Sequence, residues 1–325
     1  MRLRRQVIRV LAGVLLAWPL GALAQQSAIP IVGFLGSLSQ STPFADAFRQ
    51  GLADTGYVDG RNVAIEYRWI EDSYGKLPGM VADLVERRAA VIGAFGPPAV
   101  IAAKTTAPSI PTVFITGADP IKFGFISSFS RPGGNLTGVW LVTTVLAQKR
   151  MELLREMVPN AAVIALLVNP GNPPSAQQIR DAQAAADALG LKLIVANAAA
   201  ETEFDKAFTD IAEQKADAVI VGADPLFASR QERLAALAAR HVLPAIYEWR
   251  EFVEAGGLMS YGTVIREGLR KGGVYAARIL QGARPADLPV EQLNKLELVI
   301  NLKTAKTLGL EVPRLLLSQA NEVLD

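Results

Sequence analysis

Side chains suited to covalent or metal chemistry are scarce in this 325-residue chain. There is a single histidine, His241, placed beside Arg240 at the expected end of a helix, where a cap or surface role is the ordinary one. With one histidine, neither a His-based triad nor a paired-histidine metal site can form. Cysteine is absent, which excludes disulfides, thiolate metal sites and cysteine nucleophiles. The strings GxSxG, GxGxxG and the phosphate loop GxxxxGK(S/T) do not occur. Carboxylate or Lys/Ser chemistry stays open, but no spacing singles out a pair. The expectation is a protein that is not an enzyme, with no cofactor and no metal.

A different device recurs. Thr42-Pro43, Gly96-Pro97, Asp119-Pro120, Asn172-Pro173 and Asp224-Pro225 each follow a strand-like run and precede a helical one. A capping residue followed by proline is a common way to start a helix, and that reading stands for any single instance. Their shared location adds a second reading. In an open parallel sheet, all strand-to-helix turns at the strands' carboxyl ends lie on one edge, and ligands bind there. Helix starts also expose unpaired N–H groups that suit a carboxylate or phosphate. The string Gly117-Ala118-Asp119-Pro120 is repeated as Gly222-Ala223-Asp224-Pro225. Asp119 and Asp224 are therefore either helix caps or acceptors for a ligand ammonium. Phe44, Tyr247, Trp249 and Tyr261 lie at expected strand ends or adjoining turns, where they form core or flank a flat ligand.

These residues must be carried by alternating strands and helices. Ile31 to Leu35 is an apolar run of strand length, and Phe44, Phe48 and Leu52 then fall on one face of a helix ended by Gly56. Strands at 62–69, 90–95 and 112–116 alternate with helices at 75–88 and 98–106. After Pro132-Gly133-Gly134-Asn135 the pattern restarts, with strands at 139–142, 163–168, 191–195, 218–221, 245–247 and 258–261. Such alternation predicts an α/β protein of two doubly wound parallel-sheet lobes. Three crossings, near 139–145, 260–264 and 288–296, predict a multi-crossing hinge. The expected division is an N-terminal lobe 25–140 with helix 263–288 returning to it, and a C-terminal lobe 141–262 with 289–325.

Composition agrees. The chain is 50% hydrophobic and 20% charged, as globular proteins are. Residues 1–24 stand apart: Arg2, Arg4, Arg5 and Arg9 precede an apolar run, Val10 to Leu20, and a small-residue end, Ala22-Leu23-Ala24. This predicts a cleaved signal peptide rather than an anchor, since a membrane span needs ~20 apolar residues. Removing those four arginines from the 33 basic residues leaves 29 against 31 acidic ones, a net −2. A nearly neutral surface without basic runs predicts no nucleic-acid partner. No later segment predicts membrane insertion, and the exported chain is expected to be a soluble, periplasmic monomer.

At this point the residues match a known pattern. The chain resembles the periplasmic substrate-binding proteins of ABC transporters, in the branch that includes the tryptophan-binding receptor. The resemblance rests on Gly60-Arg61-Asn62-Val63, on Asp119-Pro120 with Arg131-Pro132-Gly133-Gly134-Asn135, on Arg250 through Gly262, and on Leu298 through Leu302. It implies the type I periplasmic binding-protein fold, closing on its ligand about the hinge. It also implies a cleft lined by Ser37, Ser41, Thr42, Phe44, Gly96, Pro97, Gly117, Asp119, Asn169, Asp224, Tyr247 and Tyr261. The chain departs from lipid-anchored members in having no cysteine, which weakens the transfer of tryptophan as ligand.

The function expected is a solute receptor of an ABC importer, delivering a small organic molecule to a permease driven by a separate ATPase subunit. An amino acid or related carboxylate is the expected ligand. A sensor-input binding protein is the first alternative and a secreted α/β enzyme the second.

Overall fold

A computed structural model describes residues 29–36, 43–70 and 73–325. The predicted signal peptide, and Ser37, Ser41 and Thr42 of the expected cleft, lie outside the described residues. From β1 (Ile31–Gly36) the chain runs through α1 (Pro43–Ala53), β2 (Ala64–Trp69), α2 (Leu77–Glu86), β3 (Val91–Phe95), α3 (Pro97–Thr106), β4 (Thr112–Thr116) and β5 (Leu136–Trp140). Next come α4 (Ala147–Met157), β6 (Val163–Val168), α5 (Ser175–Ala188), β7 (Lys192–Asn197), α6 (Phe204–Glu213), β8 (Ala218–Val221), α7 (Pro225–Ala228), α8 (Gln231–Arg240) and β9 (Ala245–Tyr247). The remainder is α9 (Arg250–Glu254), β10 (Met259–Thr263), α10 (Ile265–Leu280), β11 (Glu291–Gln292), β12 (Leu296–Asn301), α11 (Leu302–Thr307), α12 (Arg314–Gln319) and β13 (Glu322–Leu324).

Two sheets result. One has the order β11-β5-β4-β3-β1-β2, the other β13-β12-β10-β9-β8-β6-β7. The pairs are parallel except β10 with β12, which run antiparallel. Parallel strands packed on both faces must be apolar throughout, and β3 (VIGAF) and β8 (AVIV) are buried at every position. The two lobes are doubly wound α/β, as the alternation predicts; β12, antiparallel to β10, departs from the all-parallel expectation.

The chain passes between the sheets after β5, after β10 and after β11. Its second passage carries α10 back against α1 through glycines. A side chain on Gly51 would run into the Arg270 carbonyl, and one on Gly273 into that of Phe48. The three connectors are bonded together. Thr263 Oγ1 donates to the Leu141 carbonyl at 2.7 Å, and the Leu293 amide donates to that of Trp140 at 3.0 Å. Val142, in the first connector, is a β-branched residue held at φ 56°, a conformation such residues rarely adopt. The motif Pro132-Gly133-Gly134-Asn135 has a structural role: both glycines have positive φ, and Asn135 Nδ2 donates to the Ile110 carbonyl at 2.8 Å. Among the described residues, no helix is long and apolar enough to cross a membrane.

Candidate functional site

The carboxyl edges of the two sheets face each other, and the lobes touch there. The N-terminal lobe brings Phe95, Gly96, Pro97, Ile115, Gly117 and Ala118 to a shared cavity. The C-terminal lobe brings Asn172, Pro174, Ala223, Asp224, Pro225, Glu248 and Trp249, and the first connector supplies Leu141, Thr143 and Thr144. Gly96, at φ 84°, is needed twice over. Its backbone turns as only glycine does readily, and a Cβ would run into the ring of Pro225 across the cleft. Trp249 reaches over to Phe95 and Phe44, with ring centroids 6.1 and 6.4 Å away. The cavity between these walls is about 20 Å³, roughly the room one water needs. A larger molecule enters only if the lobes part.

Asp224 joins the lobes. Its Oδ1 accepts the Leu226 amide at 2.8 Å and the Phe227 amide at 3.3 Å, capping α7 behind Pro225. Tyr74 of the N-terminal lobe points its hydroxyl at both carboxylate oxygens, 3.0 Å from each. Asn169 Nδ2 lies 3.4 Å from Oδ1. Burial pushes the Asp224 carboxyl up to about 6, against these hydrogen bonds, which hold it down. Glu248, only 2% exposed, is pushed higher, to about 8, by burial; the charge of Arg150 pulls it partly back. Arg150 is itself lowered to about 10 by burial, and its Nε donates to the Tyr261 carbonyl at 2.9 Å.

The expected residues divide accordingly. Gly96, Pro97, Gly117 and Asp224 line the cavity. Phe44 stands behind it against Trp249, and Asn169 stands behind Asp224. Asp119 lies elsewhere: it caps its own turn through Ile121 and Lys122 and faces an outer groove of about 410 Å³ with Thr144, Gln148, Gln177 and Asp181. Tyr247 is core, fully buried and stacked on Phe252 at 4.7 Å. Tyr261 packs on the C-terminal lobe and offers Arg150 its carbonyl. Successive strand residues face opposite ways, so a tyrosine pointing into the core puts its neighbour Glu248 on the cleft.

The expected anion site at helix starts is not what these loops present. Pro97 and Pro98 remove the first two donors of α3, and the donors of α7 are taken by Asp224. The turn at Asp119 is likewise self-capped. The loop before α1 lies outside the described residues. His241 is the C-terminal cap of α8, as its place in the sequence suggested. Among the described residues, no cluster of His, Asp and Glu forms a metal site.

Comparison with known proteins agrees with this arrangement. A Vibrio cholerae protein of known structure, described as a conserved domain protein, superimposes with a TM-score of 0.81 at 26% identity, covering 91% of this chain and 99% of that one. A Streptococcus pneumoniae ABC domain solved in complex with L-Trp superimposes at 0.79, with the same identity and the same coverage. The tyrosine-binding protein of Clostridioides difficile strain R20291 is 25% identical over 264 residues, 81% of this chain and 76% of its own. The two-lobed fold is thus the type I periplasmic fold that the resemblance implied. The family model for ABC transporter substrate binding proteins matches residues 41–324, nearly the whole described chain, and the protein belongs to that family.

Proposed function

We propose that the protein is the extracytoplasmic receptor of an ABC importer and that its ligand is an amino acid, with aromatic ones foremost. It traps the ligand between the lobes and presents it to a permease powered by a separate ATPase subunit, without chemical change. The observation that carries this reading is the cavity wall itself. It sets aromatic and aliphatic side chains (Phe95, Ile115, Leu141, Trp249) beside two carboxyls, Asp224 and Glu248, at the meeting of two sheet edges. An apolar wall holds a ring and a carboxyl holds an ammonium. The binding of L-Trp by one relative and of tyrosine by another supports the same class.

Protein unfolded and refolded to strip carried-over ligand, then screened by thermal shift against the amino acids, tests this. Ligand at a hundred times its dissociation constant adds about 2.7 kcal/mol of stability, a rise of several degrees for a chain of this size. A rise with sugars or polyamines and with no amino acid would overturn the reading.

A further inference from the structure

Asp224 Oδ1 already takes two amides, the Tyr74 hydroxyl and the Asn169 amide, and Oδ2 faces that same hydroxyl, so less of this carboxylate is open to a ligand. Among the described residues, three other polar atoms of cavity-lining side chains are buried and find no hydrogen-bond partner: Glu248 Oε1, Asn172 Oδ1 and Trp249 Nε1. Their residues are 2%, 2% and 4% exposed. The orientation of the Asn172 amide is fixed, since its Nδ2 donates to the Ala223 carbonyl at 3.1 Å and leaves Oδ1 as the free acceptor. Buried polar atoms are rarely left unpaired, because each costs about 1–3 kcal/mol. Two acceptors and one donor on residues that line one cavity are complementary to a ligand with a multi-donor group and an acceptor.

We propose that Glu248 and Asn172 bind the ligand's ammonium group and that Trp249 Nε1 donates to its carboxylate, making Glu248 the residue that selects amino acids over their amine-free counterparts. This rests on the receptor reading above and reassigns the ammonium from Asp224. All three residues belong to the C-terminal lobe, so they remain together when the lobes part, while the described part of the facing N-terminal wall is mainly apolar: Phe95, Pro97, Ile115 and Ala118. The ligand's polar end is therefore held by one lobe before the other closes on its side chain. Asn172 and Glu248 leave the ends of different strands, which is why neither was visible as a pair in the sequence.

The charged groups around Glu248 set its behaviour. Arg150 on α4 favours its ionised form, while Asp224 before α7 and Glu251 on α9 oppose it. Burial dominates and keeps the carboxyl protonated up to about pH 8. A ligand ammonium placed against it favours the carboxylate, so binding near neutral pH releases a proton from Glu248.

The test uses refolded protein titrated calorimetrically with L-tyrosine, L-tryptophan and their deamino acids, in buffers of different ionisation enthalpy. The wild type should bind the amino acids at least tenfold more tightly than the deamino acids and release close to one proton per ligand near pH 7. Glu248→Gln should narrow that preference by tenfold or more and abolish the release, while Asp224→Asn keeps the release. A Glu248→Gln protein that prefers amino acids as strongly as the wild type, or releases the same proton, overturns the assignment. Wild-type protein that binds deamino acids as tightly as amino acids overturns it too, yet leaves the receptor reading standing. Binding of neither set removes the aromatic amino-acid reading and the assignment together.

Discussion

The Tyr74 hydroxyl and the Asp224 carboxylate lie 3.0 Å apart across the cleft, each anchored in a different lobe. Asp224 is fixed by the start of α7, and Tyr74 opens a short 3-10 turn held by Ser73, whose side chain accepts the Gly75 amide at 3.2 Å. The bond therefore exists only when the lobes are together, and it acts as a latch on the closed form. A hydrogen bond to a charged group contributes about 1.5–3 kcal/mol net of exchange with water. The latched cavity has room for about one water, so the bond competes with ligand entry: Tyr74→Phe should tighten ligand binding by up to about tenfold and enlarge the radius of gyration of the unliganded protein in small-angle scattering. Unchanged affinity and radius would show that the pair does not bias closure.

The two repeated aspartates should part company when mutated. Asp119 caps a turn outside the cavity, so Asp119→Ala should cost about 1 kcal/mol of stability and leave affinity within twofold. Asp224→Ala leaves the Leu226 and Phe227 amides unpaired, along with the latch, and should cost about 1–3 kcal/mol as well as weaken binding. Urea melts and titrations on both variants decide it. Equal losses of affinity would put Asp119 at the ligand.

This contrast shows where the sequence was legible. Strands buried on both faces, such as β3 and β8, are written as unbroken apolar runs, and strand-to-helix turns announce themselves by their prolines. The repeated Gly-Ala-Asp-Pro string specifies two local caps equally well. What touches each cap is decided by the opposite lobe, and one string of four residues holds no record of that. Tyr247 was expected on the cleft because its strand ends there, but a strand's pleat makes the difference of one residue decisive. Gly257 and Gly262, near the second crossing, have a steric reason: side chains there would strike the Tyr247 ring and the Glu248 carbonyl. Such reasons lie in partners distant along the chain.

The junction of α1 and α10 offers a stability test of the returning helix. Gly51 faces the Arg270 carbonyl, and Gly273 faces that of Phe48, so the backbones approach with no room for a methyl group. The obstacles are backbone atoms, which cannot rotate aside. Gly51→Ala should force the helices apart and cost about 1–3 kcal/mol or more, the usual cost of overpacking, despite alanine's better helix propensity. A control at Gly79 in α2, where a Cβ would meet nothing within 4 Å, should be neutral or stabilising. A Gly51→Ala melt no lower than that of the control would mean that α10 is not pressed on α1 in this way.

Stability of the unliganded protein should fall as pH rises towards 8. Glu248 titrates near 8 in the folded chain against an ordinary 4.5, and Asp224 near 6 against 3.8. Both are raised, so their contribution is complete below the unfolded values and is lost as pH climbs through the folded ones. Asp224 governs the lower part of that window and Glu248 alone of the two the upper part. Between about pH 6 and pH 8 the slope from Glu248 approaches 1.4 kcal/mol per pH unit at most. Asp54, Asp83 and Asp205, whose arginine partners lower them, act only at acid pH and do not disturb this range. Urea midpoints of refolded protein should therefore decline across that interval, and Glu248→Gln, which carries no titrating proton, should flatten the decline. Ligand should flatten it as well, because an ammonium beside Glu248 replaces the proton that burial had retained. A wild-type midpoint that holds steady or rises from pH 6 to pH 8 would mean that Glu248 is already ionised in the fold, held so by Arg150.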